Sequence, residues 1–277
     1  MARRSVLFAP GDQPGKVRKA PESDADVVVY DLEDAVVPDR KETARDAVCE
    51  ALAEVDPDCE LCVRVNPVGE GAGADLRAVF EGALPDSVML PKVPGVDAVE
   101  TLAGMLAERD AVVPILALVE SAAGVLHAEG IAAAEATDAL LFGAEDLAGD
   151  IGATRSDDGA EVAHARQHVL LAARAAGVDA VDTHYPAYED DAGLRDAARE
   201  ARRLGYDGKM AIHPAQVPIV NGAFTPDTEE VAWARRVLDA RDEASDRSSG
   251  VFVVDGEMID APQVRQAERI VERAGGE

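Results

Sequence analysis

The stretch D-A-L-L-F-G-A-E-D-L-A-G-D, residues 138–150, passes from a buried strand into a group of acids. Its apolar residues 139–142 do not alternate with polar ones, which is typical of a strand covered on both faces in a parallel sheet. Glu145 and Asp146 follow almost at once. An unpaired charge beside a buried strand costs roughly several kcal/mol, so we expect a partner from elsewhere in the chain.

The same strand pattern recurs along the chain at regular intervals. Strands are predicted at residues 6–10, 27–31, 61–66, 88–92, 115–120, 140–144, 178–183 and 210–213. Segments rich in Ala, Glu and Arg with helical periodicity separate most of them, at residues 40–53, 95–109, 160–176 and 192–205. Eight strands that alternate with helices predict an α/β fold, the (β/α)8 TIM-type barrel. A doubly wound sheet is the alternative, but no G-x-G-x-x-G follows the first strand.

Length and composition limit the class of protein. A chain of 277 residues suits one α/β barrel, which we place at residues 1–223, with a C-terminal extension at 224–277. The net charge of -27 argues against a nucleic-acid partner and resembles the solvated acidic surface of a protein from a salt-rich cytosol. No apolar run approaches a membrane span and no signal peptide is evident, so we expect a cytoplasmic protein without a membrane partner.

Polar residues gather where the predicted strands end. These residues are Asp31, Glu33, Asp34, Arg64, Asn66, Lys92, Glu120, Glu145, Asp146, Asp182, His184 and His213. In a barrel the carboxyl ends of all strands meet at one rim, where active sites of this fold lie. The sequence therefore predicts that these scattered residues converge in space.

Glu120 and Asp146 end the fifth and sixth predicted strands, which are neighbours in such a barrel. Two carboxylates without a nearby Cys or His suit a hard cation, and Mg²⁺ commonly takes few protein ligands. Arg64 at the same rim favours a charged active site. The alternative is that the two acids cap the helices that follow them.

Several motifs carry a family resemblance: R-S-V-L-F-A-P-G, Y-D-L-E-D-A-V-x-P-x-x-K-x-x-A-R, V-R-V-N-P, M-L-P-K-V, F-G-A-E-D-L and G-K-M-A-I-H-P-x-Q. In this order they resemble the citrate lyase beta-subunit family of the HpcH/HpaI aldolase superfamily, whose relatives include malyl-CoA, β-methylmalyl-CoA and citramalyl-CoA lyases. The resemblance implies Mg²⁺, or Mn²⁺ in its place, at Glu120 and Asp146 with Arg64 as a catalytic residue. It also implies cleavage or formation of the bond between an acyl-CoA α-carbon and the carbonyl of a 2-oxo acid.

The C-terminal segment resembles the lid of that family. A helix near 227–244 is followed by a short strand, a turn and a helix that begins near Pro262. By the resemblance, Asp260 acts as acid/base on the acyl-CoA α-carbon, often across a subunit boundary, which implies a homo-oligomer such as a trimer or hexamer. The alternative from the residues alone is that Asp260 is an ordinary helix N-cap.

Coenzyme A phosphates need cations, and residues 1–19 hold five cations against one acid. Arg18 and Lys19, together with Lys92, are the candidate ligands of these phosphates. The alternative is a solvated terminus that carries surface charges. We expect Glu33 and Asp34 to hydrogen-bond metal-bound waters or to orient Arg64.

These observations predict a Mg²⁺-dependent lyase for a malyl-, methylmalyl-, citramalyl- or citryl-type CoA ester. One or two methyl groups in a pocket decide between such substrates, and the sequence does not choose among them. Three other functions stay open: a malyl-CoA-type thioesterase, an aldolase for free hydroxy acids, and the beta subunit of a multi-subunit citrate lyase that acts on an acyl-carrier thioester. Glu145 is either a neighbour of the site or a helix-terminal acid, and His213 is either a buried backbone-bonded histidine or a catalytic one.

Overall fold

The structure is a computed structural model that describes residues 3–245 and 251–275. These residues form two compact units, 3–221 and 222–275, which are described separately. The first contains eight strands: β1 (Ser5–Pro10), β2 (Val27–Asp31), β3 (Glu60–Arg64), β4 (Ser87–Leu90), β5 (Ile115–Val119), β6 (Thr137–Phe142), β7 (Asp179–Asp182) and β8 (Gly208–Ala211). All neighbours are parallel, and β1 also pairs with β8, which closes the barrel. The predicted (β/α)8 barrel is confirmed, and the doubly wound alternative is wrong because none of the eight strands of this sheet is left at an edge.

Helices lie between the strands of this barrel. They are α1 (Pro14–Lys19), α2 (Lys41–Glu54), α3 (Ala72–Val79), α4 (Val96–Ala107), α5 (Ala122–Leu126), α6 (Ala128–Ala132), α7 (Ala144–Asp150), α8 (Ala163–Ala176), α9 (Asp191–Leu204) and α10 (Val217–Phe224), the last of which runs across the unit boundary. Among the described residues, no helix has both the length and the apolar character to cross a membrane.

Apolar side chains from successive strands fill the interior of the barrel. This core contains Val6, Val27, Val29, Cys62, Met89, Leu116, Leu118, Ala139, Leu141, Val181 and Met210. Because side chains alternate across a strand, the residues next to these point toward the helices. The strands are therefore apolar on both faces, which explains their continuous hydrophobic runs in the sequence.

The opening stretch shows where the predicted boundaries were shifted. Strand β6 begins at Thr137 and ends at Phe142, whereas the prediction was 140–144. Ala144 already belongs to α7, whose N-cap is Gly143. The strand is therefore followed directly by the helix that carries Glu145 and Asp146.

The second unit contains α11 (Thr228–Ser245), the strands β9 (Phe252–Val254) and β10 (Glu257–Ile259), and α12 (Ala261–Ala274). The strands form an antiparallel hairpin, where the sequence had predicted one strand and a turn. Asp255 and Gly256 both have positive φ angles, of 53° and 85°, which is the backbone that a tight two-residue hairpin turn requires. Val237, Val254, Ile259 and Ile270 are among the residues of its small apolar core.

Candidate active site

A pocket of about 260 Å³ opens at the carboxyl-terminal rim of the barrel. Its charged and polar lining includes Asp31, Arg64, Glu120, Glu145, Asp146 and His184, and its apolar lining includes Phe8, Leu118, Met210 and Ile212. Six of the twelve strand-end residues that the sequence placed at one rim thus line the pocket, whereas the other six do not: Glu33, Asp34, Asn66, Lys92, Asp182 and His213. The acids outnumber the basic side chains in this pocket, which favours a cationic ligand.

Glu120 and Asp146 lie next to each other because β5 and β6 are paired with Val119 opposite Phe142. Glu120 is 4% exposed and accepts a hydrogen bond of 2.9 Å from the backbone N–H of Lys92. Burial raises the pKa of Glu120 to about 8, and the charge of Asp146 adds to this effect. Two carboxylates in contact are a costly arrangement unless a proton or a cation lies between them.

Gly143 makes room for this pair. A Cβ atom at position 143 would lie 2.5 Å from the Cβ of Glu120 and 2.7 Å from its Oε2. Real Cβ atoms do not approach so closely, so any other residue would displace the Glu120 side chain. The glycine of F-G-A-E-D-L is therefore required by the carboxylate of the neighbouring strand.

Neither acid is the N-cap residue of the helix that follows it. The N-cap of α5 is Ser121, whose hydroxyl accepts a hydrogen bond from the N–H of Gly124, and the N-cap of α7 is Gly143. Glu120 thus precedes the cap of its helix, and Asp146 follows the cap of its own. Asp146 nevertheless lies in the first turn of α7, where a carboxylate favours the helix, so the helix-terminus alternative holds for Asp146 in this respect.

These residues fit a Mg²⁺ ion. Within the described residues, no group of three or more His, Cys, Asp or Glu side chains is arranged for a metal. A site built on Glu120 and Asp146 would therefore leave several coordination positions for water or substrate oxygens, as Mg²⁺ sites usually do. A divalent cation would also relieve the repulsion from Asp146, which adds to the effect of burial in raising the pKa of Glu120.

Arg64 lies beside the two carboxylates but is held by other residues. Its Nε and Nη2 donate to both oxygens of Asp31, at 2.8 and 2.6 Å, and its Nη1 lies 3.3 Å from Glu33. Its guanidinium is 5.0 Å from the ring centroid of Phe8, a cation–π contact. Burial opposes its charge, but the hydrogen bonds to Asp31 outweigh this and hold the pKa of Arg64 above its ordinary value.

The sequence reasoning missed Asp31 as the partner of Arg64. Asp31 and Arg64 are paired in register on β2 and β3, and both close their strands. The strand-end pattern had contained both residues, so neighbouring strands ending in opposite charges were the available signal. Glu33, which was expected to orient Arg64, makes the longer contact of the two.

Lys92 bridges two acids of the loop after β2. Its ammonium contacts Glu33 and lies 3.1 Å from both oxygens of Asp34. Burial opposes its charge, but the hydrogen bonds to Glu33 and Asp34 raise the pKa of Lys92. Its backbone has a φ of 51°, in the left-handed region. Lys92 therefore ties the acidic loop to Glu120, while its expected contact with coenzyme A stays a prediction.

The other candidates for phosphate binding lie on α1. Arg18 pairs with Glu54 at 2.9 Å and with Glu50 at 3.3 Å, both on α2, and Lys19 is exposed. Arg18 is thus already paired with two acids. Binding of coenzyme A phosphates by these two residues stays a prediction.

His184 lines the pocket, although the sequence gave it a rim position without a role. Burial lowers the pKa of its imidazole, which keeps the ring neutral at neutral pH. His213 is exposed, so the expectation of a buried histidine is wrong, but its Nδ1 does accept a backbone hydrogen bond of 3.2 Å from Ala215. Glu145 pairs with Arg155 at 2.9 Å at the edge of the pocket.

Asp260 belongs to the second unit, at the N-cap of α12. Its backbone N–H donates to the side-chain oxygen of Gln263 at 3.1 Å, as in a capping box. The cap position is compatible with a second role because the residue is exposed. Its action as acid/base stays a prediction.

The chain is similar to a known protein family and to named proteins over most of its length. The family model described as HpcH/HpaI aldolase/citrate lyase matches residues 4–214. Mitochondrial citramalyl-CoA lyase of Rattus norvegicus is 35% identical over 97% of this chain and 85% of its own length. The (3S)-malyl-CoA thioesterase of Cereibacter sphaeroides is 36% identical over 98% of this chain and 94% of its own.

A solved structure agrees over nearly the whole chain. The crystal structure of CitE from Mycobacterium tuberculosis, in complex with magnesium, acetoacetate and coenzyme A, is 38% identical and superposes with a TM-score of 0.84. The match covers 99% of this chain and 98% of that one. The family predicted from the motifs is therefore confirmed, and the chain belongs to the HpcH/HpaI aldolase/citrate lyase family.

Proposed function

We propose that this protein is a Mg²⁺-dependent carbon–carbon lyase that cleaves a 3-hydroxyacyl-CoA into an acyl-CoA and a 2-oxo acid. The observation that carries the proposal is the pair of carboxylates, Glu120 and Asp146, at adjacent strand ends beside Arg64. The rat relative is named as a lyase of a CoA ester, and the CitE neighbour was solved with magnesium and coenzyme A. Both names support a CoA thioester as the substrate and Mg²⁺ as the metal.

The residues of the pocket suit the charges of this reaction. In cleavage the C-3 hydroxyl gives its proton to solvent and the bond between C-2 and C-3 breaks, so negative charge develops first on the C-3 oxygen and then on the thioester enolate. Mg²⁺ held by Glu120 and Asp146 would supply Lewis-acid stabilisation of the first charge. Arg64, permanently charged and fixed by Asp31, holds the same oxygen or the carboxylate of the 2-oxo acid.

A proton must also reach the α-carbon of the enolate. In our proposal Asp260 donates it, and residues 224–277 act as the lid. Arg18, Lys19 and Lys92 bind the coenzyme A phosphates, and Glu33 and Asp34 orient Arg64 or bind waters of the metal. The protein works as a homo-oligomer, a trimer or hexamer, if Asp260 serves another subunit.

A substrate panel tests this proposal. The purified protein is incubated in high salt with malyl-, β-methylmalyl-, citramalyl- and citryl-CoA, with Mg²⁺ or with EDTA, and the products are identified by mass spectrometry. We expect one ester to give a 2-oxo acid and a shorter acyl-CoA with Mg²⁺, and no product with EDTA. Failure to cleave any ester would overturn the lyase and direct attention to a protein-bound thioester.

Thioester hydrolysis is the second candidate function, because one relative at 36% identity is named (3S)-malyl-CoA thioesterase. In the same panel this activity would release free CoA together with an intact hydroxy acid. If the 2-oxo acid appears first and free CoA later, lyase and thioesterase act in sequence.

Mixing two inactive variants tests where Asp260 acts. Glu120→Gln removes a metal ligand and Asp260→Ala removes the acid/base, so each variant alone should be inactive. If Asp260 serves a neighbouring subunit, refolding the two variants together restores part of the activity, because some sites then receive both intact residues. Mixtures that stay inactive would place Asp260 in the same subunit as the pocket it serves.

A further inference from the structure

Lys41, the first residue of α2, lies outside the residues that line the rim pocket. Its Nζ donates three hydrogen bonds, to the backbone oxygens of Leu32 at 2.6 Å and Glu33 at 2.7 Å, and to Oδ1 of Asn66 at 2.8 Å. An ammonium group has three donors, so all of them are used. Two of the acceptors are main-chain carbonyls, and the lysine therefore fixes a backbone conformation.

Asn66 links the same backbone to helix α3 through hydrogen bonds. Its Nδ2 donates to the oxygen of Leu32 at 3.0 Å and to Oδ2 of Asp75 at 2.7 Å. Asp75 is fully buried on α3, and its Oδ1 accepts a hydrogen bond of 2.8 Å from Nε of Arg45 on α2. The turn after β2 is thus held from two helices through polar side chains that are themselves held in place.

The turn after β2 contains two acids, Glu33 and Asp34, that contact charged residues in and beside the pocket. Glu33 contacts Arg64 and Lys92, and Asp34 contacts Lys92. Asp31 closes the turn by accepting hydrogen bonds from the N–H groups of Glu33 at 2.8 Å and Ala35 at 3.2 Å. Because the N–H of Lys92 in turn donates to Glu120, a continuous set of contacts links Lys41 to the carboxylate pair.

We propose that Lys41 is a positioning residue of the active site, which it serves through the backbone of Leu32 and Glu33. Without its ammonium, two carbonyls and the Asn66 amide lose a charged partner, and the turn rearranges. Glu33 and Asp34 then no longer hold Arg64 and Lys92 in the geometry that faces Glu120. Residues that support metal ligands and catalytic groups in this way typically change affinity or activity about 10–100-fold when mutated. This inference rests on the proposed function, on its metal site for the metal-affinity part and on its lyase activity for the kinetic part.

Lys41→Met tests the inference, since it keeps most of the side-chain stem and removes the ammonium. Mn²⁺ is the probe, because its dissociation constant can be read by electron paramagnetic resonance without any substrate; kcat and KM are measured on the ester that the wild type cleaves. The control is Arg3→Met, which breaks a partly buried ion pair with Glu60 at the other end of the barrel. Lys41→Gln covers the case in which the methionine prevents folding.

We expect the Mn²⁺ dissociation constant to rise about tenfold or more in Lys41→Met, and kcat to fall by a similar factor, at a temperature where circular dichroism shows a folded protein. Arg3→Met should lose stability but stay within twofold of the wild type in both. A Lys41 variant within twofold of the wild type in Mn²⁺ affinity and kcat would overturn the inference. A wild type that binds Mn²⁺ but cleaves no ester would overturn the proposed function instead, and the Mn²⁺ affinities would still decide the role of Lys41.

Discussion

The two ends of the barrel both gather acids around an arginine, and they use it differently. At the amino end, Arg3 lies among Glu60 at 2.7 Å, Asp138 at 2.6 Å and Asp179 at 3.1 Å, all at or near the starts of strands. At the carboxyl end, Arg64 is bound by Asp31 and Glu33. The amino-end acids thus share their cation, whereas Glu120 and Asp146 are left facing each other.

This difference separates stability from function. Loss of one partner from a largely buried ion-pair cluster destabilises the fold, so the cluster around Arg3 contributes to the stability of the barrel. A pair of carboxylates without their own cation is a standing cost to the fold, which a bound metal offsets. The carboxyl end therefore keeps an arrangement that the fold alone would not favour.

The largest effect should come from Glu120→Gln. The variant removes a proposed metal ligand, and we expect the Mg²⁺-dependent kcat/KM to fall about 10³-fold, equivalent to about 4 kcal/mol of transition-state stabilisation. Its thermal stability without metal should stay equal or rise, because the repulsion with Asp146 is removed. Steady-state kinetics and thermal unfolding measure the two effects. Activity within tenfold of the wild type would contradict the assignment of this end as the active site.

Arg3→Met should produce the opposite result at the amino end. It leaves Glu60 without the arginine that neutralises it, while Asp138 and Asp179 are partly exposed and can be hydrated. We expect the free energy of unfolding to fall by about 3 kcal/mol, measured by denaturant titration. The kcat of the folded variant should match the wild type. A large loss of kcat would show that the amino end of the barrel also affects activity at the carboxyl end.

Gly143→Ala should produce a smaller change, confined to the carboxyl end. The added Cβ would overlap Glu120, so we expect the Mn²⁺ dissociation constant to rise about tenfold. Gly149→Ala is the matched control on the same helix, because a Cβ at position 149 meets nothing within 4 Å. The control should keep its metal affinity and gain up to about 1 kcal/mol of helix stability. Equal affinities in the two variants would show that Glu120 is not held as described.

The barrel could be predicted from the sequence because the apolar runs that indicate its strands are local features of the chain. Continuous apolar runs such as 139–142 and the helices between them do not depend on distant contacts. The convergence of Glu120 and Asp146 followed from the topology of the fold alone. Neither the fold nor the convergence of these two residues required knowledge of side-chain geometry.

The partners of the charged residues could not be predicted in the same way. Arg64 could have paired with any acid at the rim, and its choice of Asp31 depends on strand register and on which side chains point inward. Lys92 illustrates the same limit, since it pairs with Glu33 and Asp34 from a loop position with a left-handed backbone, which the sequence does not reveal. Lys41 was present in a quoted motif, but its three acceptors lie in separate segments of the chain.

The smallest effect on the active site is expected from Asp182, which ends β7 but is paired with two cations and does not line the pocket. It accepts hydrogen bonds from Arg166 at 2.8 and 2.9 Å and from Lys209 at 2.7 Å. Burial alone would raise the pKa of this carboxyl, but Lys209 and Arg166 outweigh burial and lower the pKa below its ordinary value. Its ion pairs therefore stabilise the fold above the unfolded pKa of about 3.9, and this contribution is lost as the pH falls through the lower, folded value.

Asp182→Asn should accordingly flatten the decline of the free energy of unfolding below about pH 4, measured by denaturant titration between pH 6 and pH 3. The variant is less stable at neutral pH because Lys209 and Arg166 lose a charged partner. Exposed Asp39 provides the control, and Asp39→Asn should follow the wild-type curve. If Asp182→Asn ran parallel to the wild type, the Asp182 carboxylate would not be stabilised by Lys209 and Arg166, and its contrast with Glu120 would be lost.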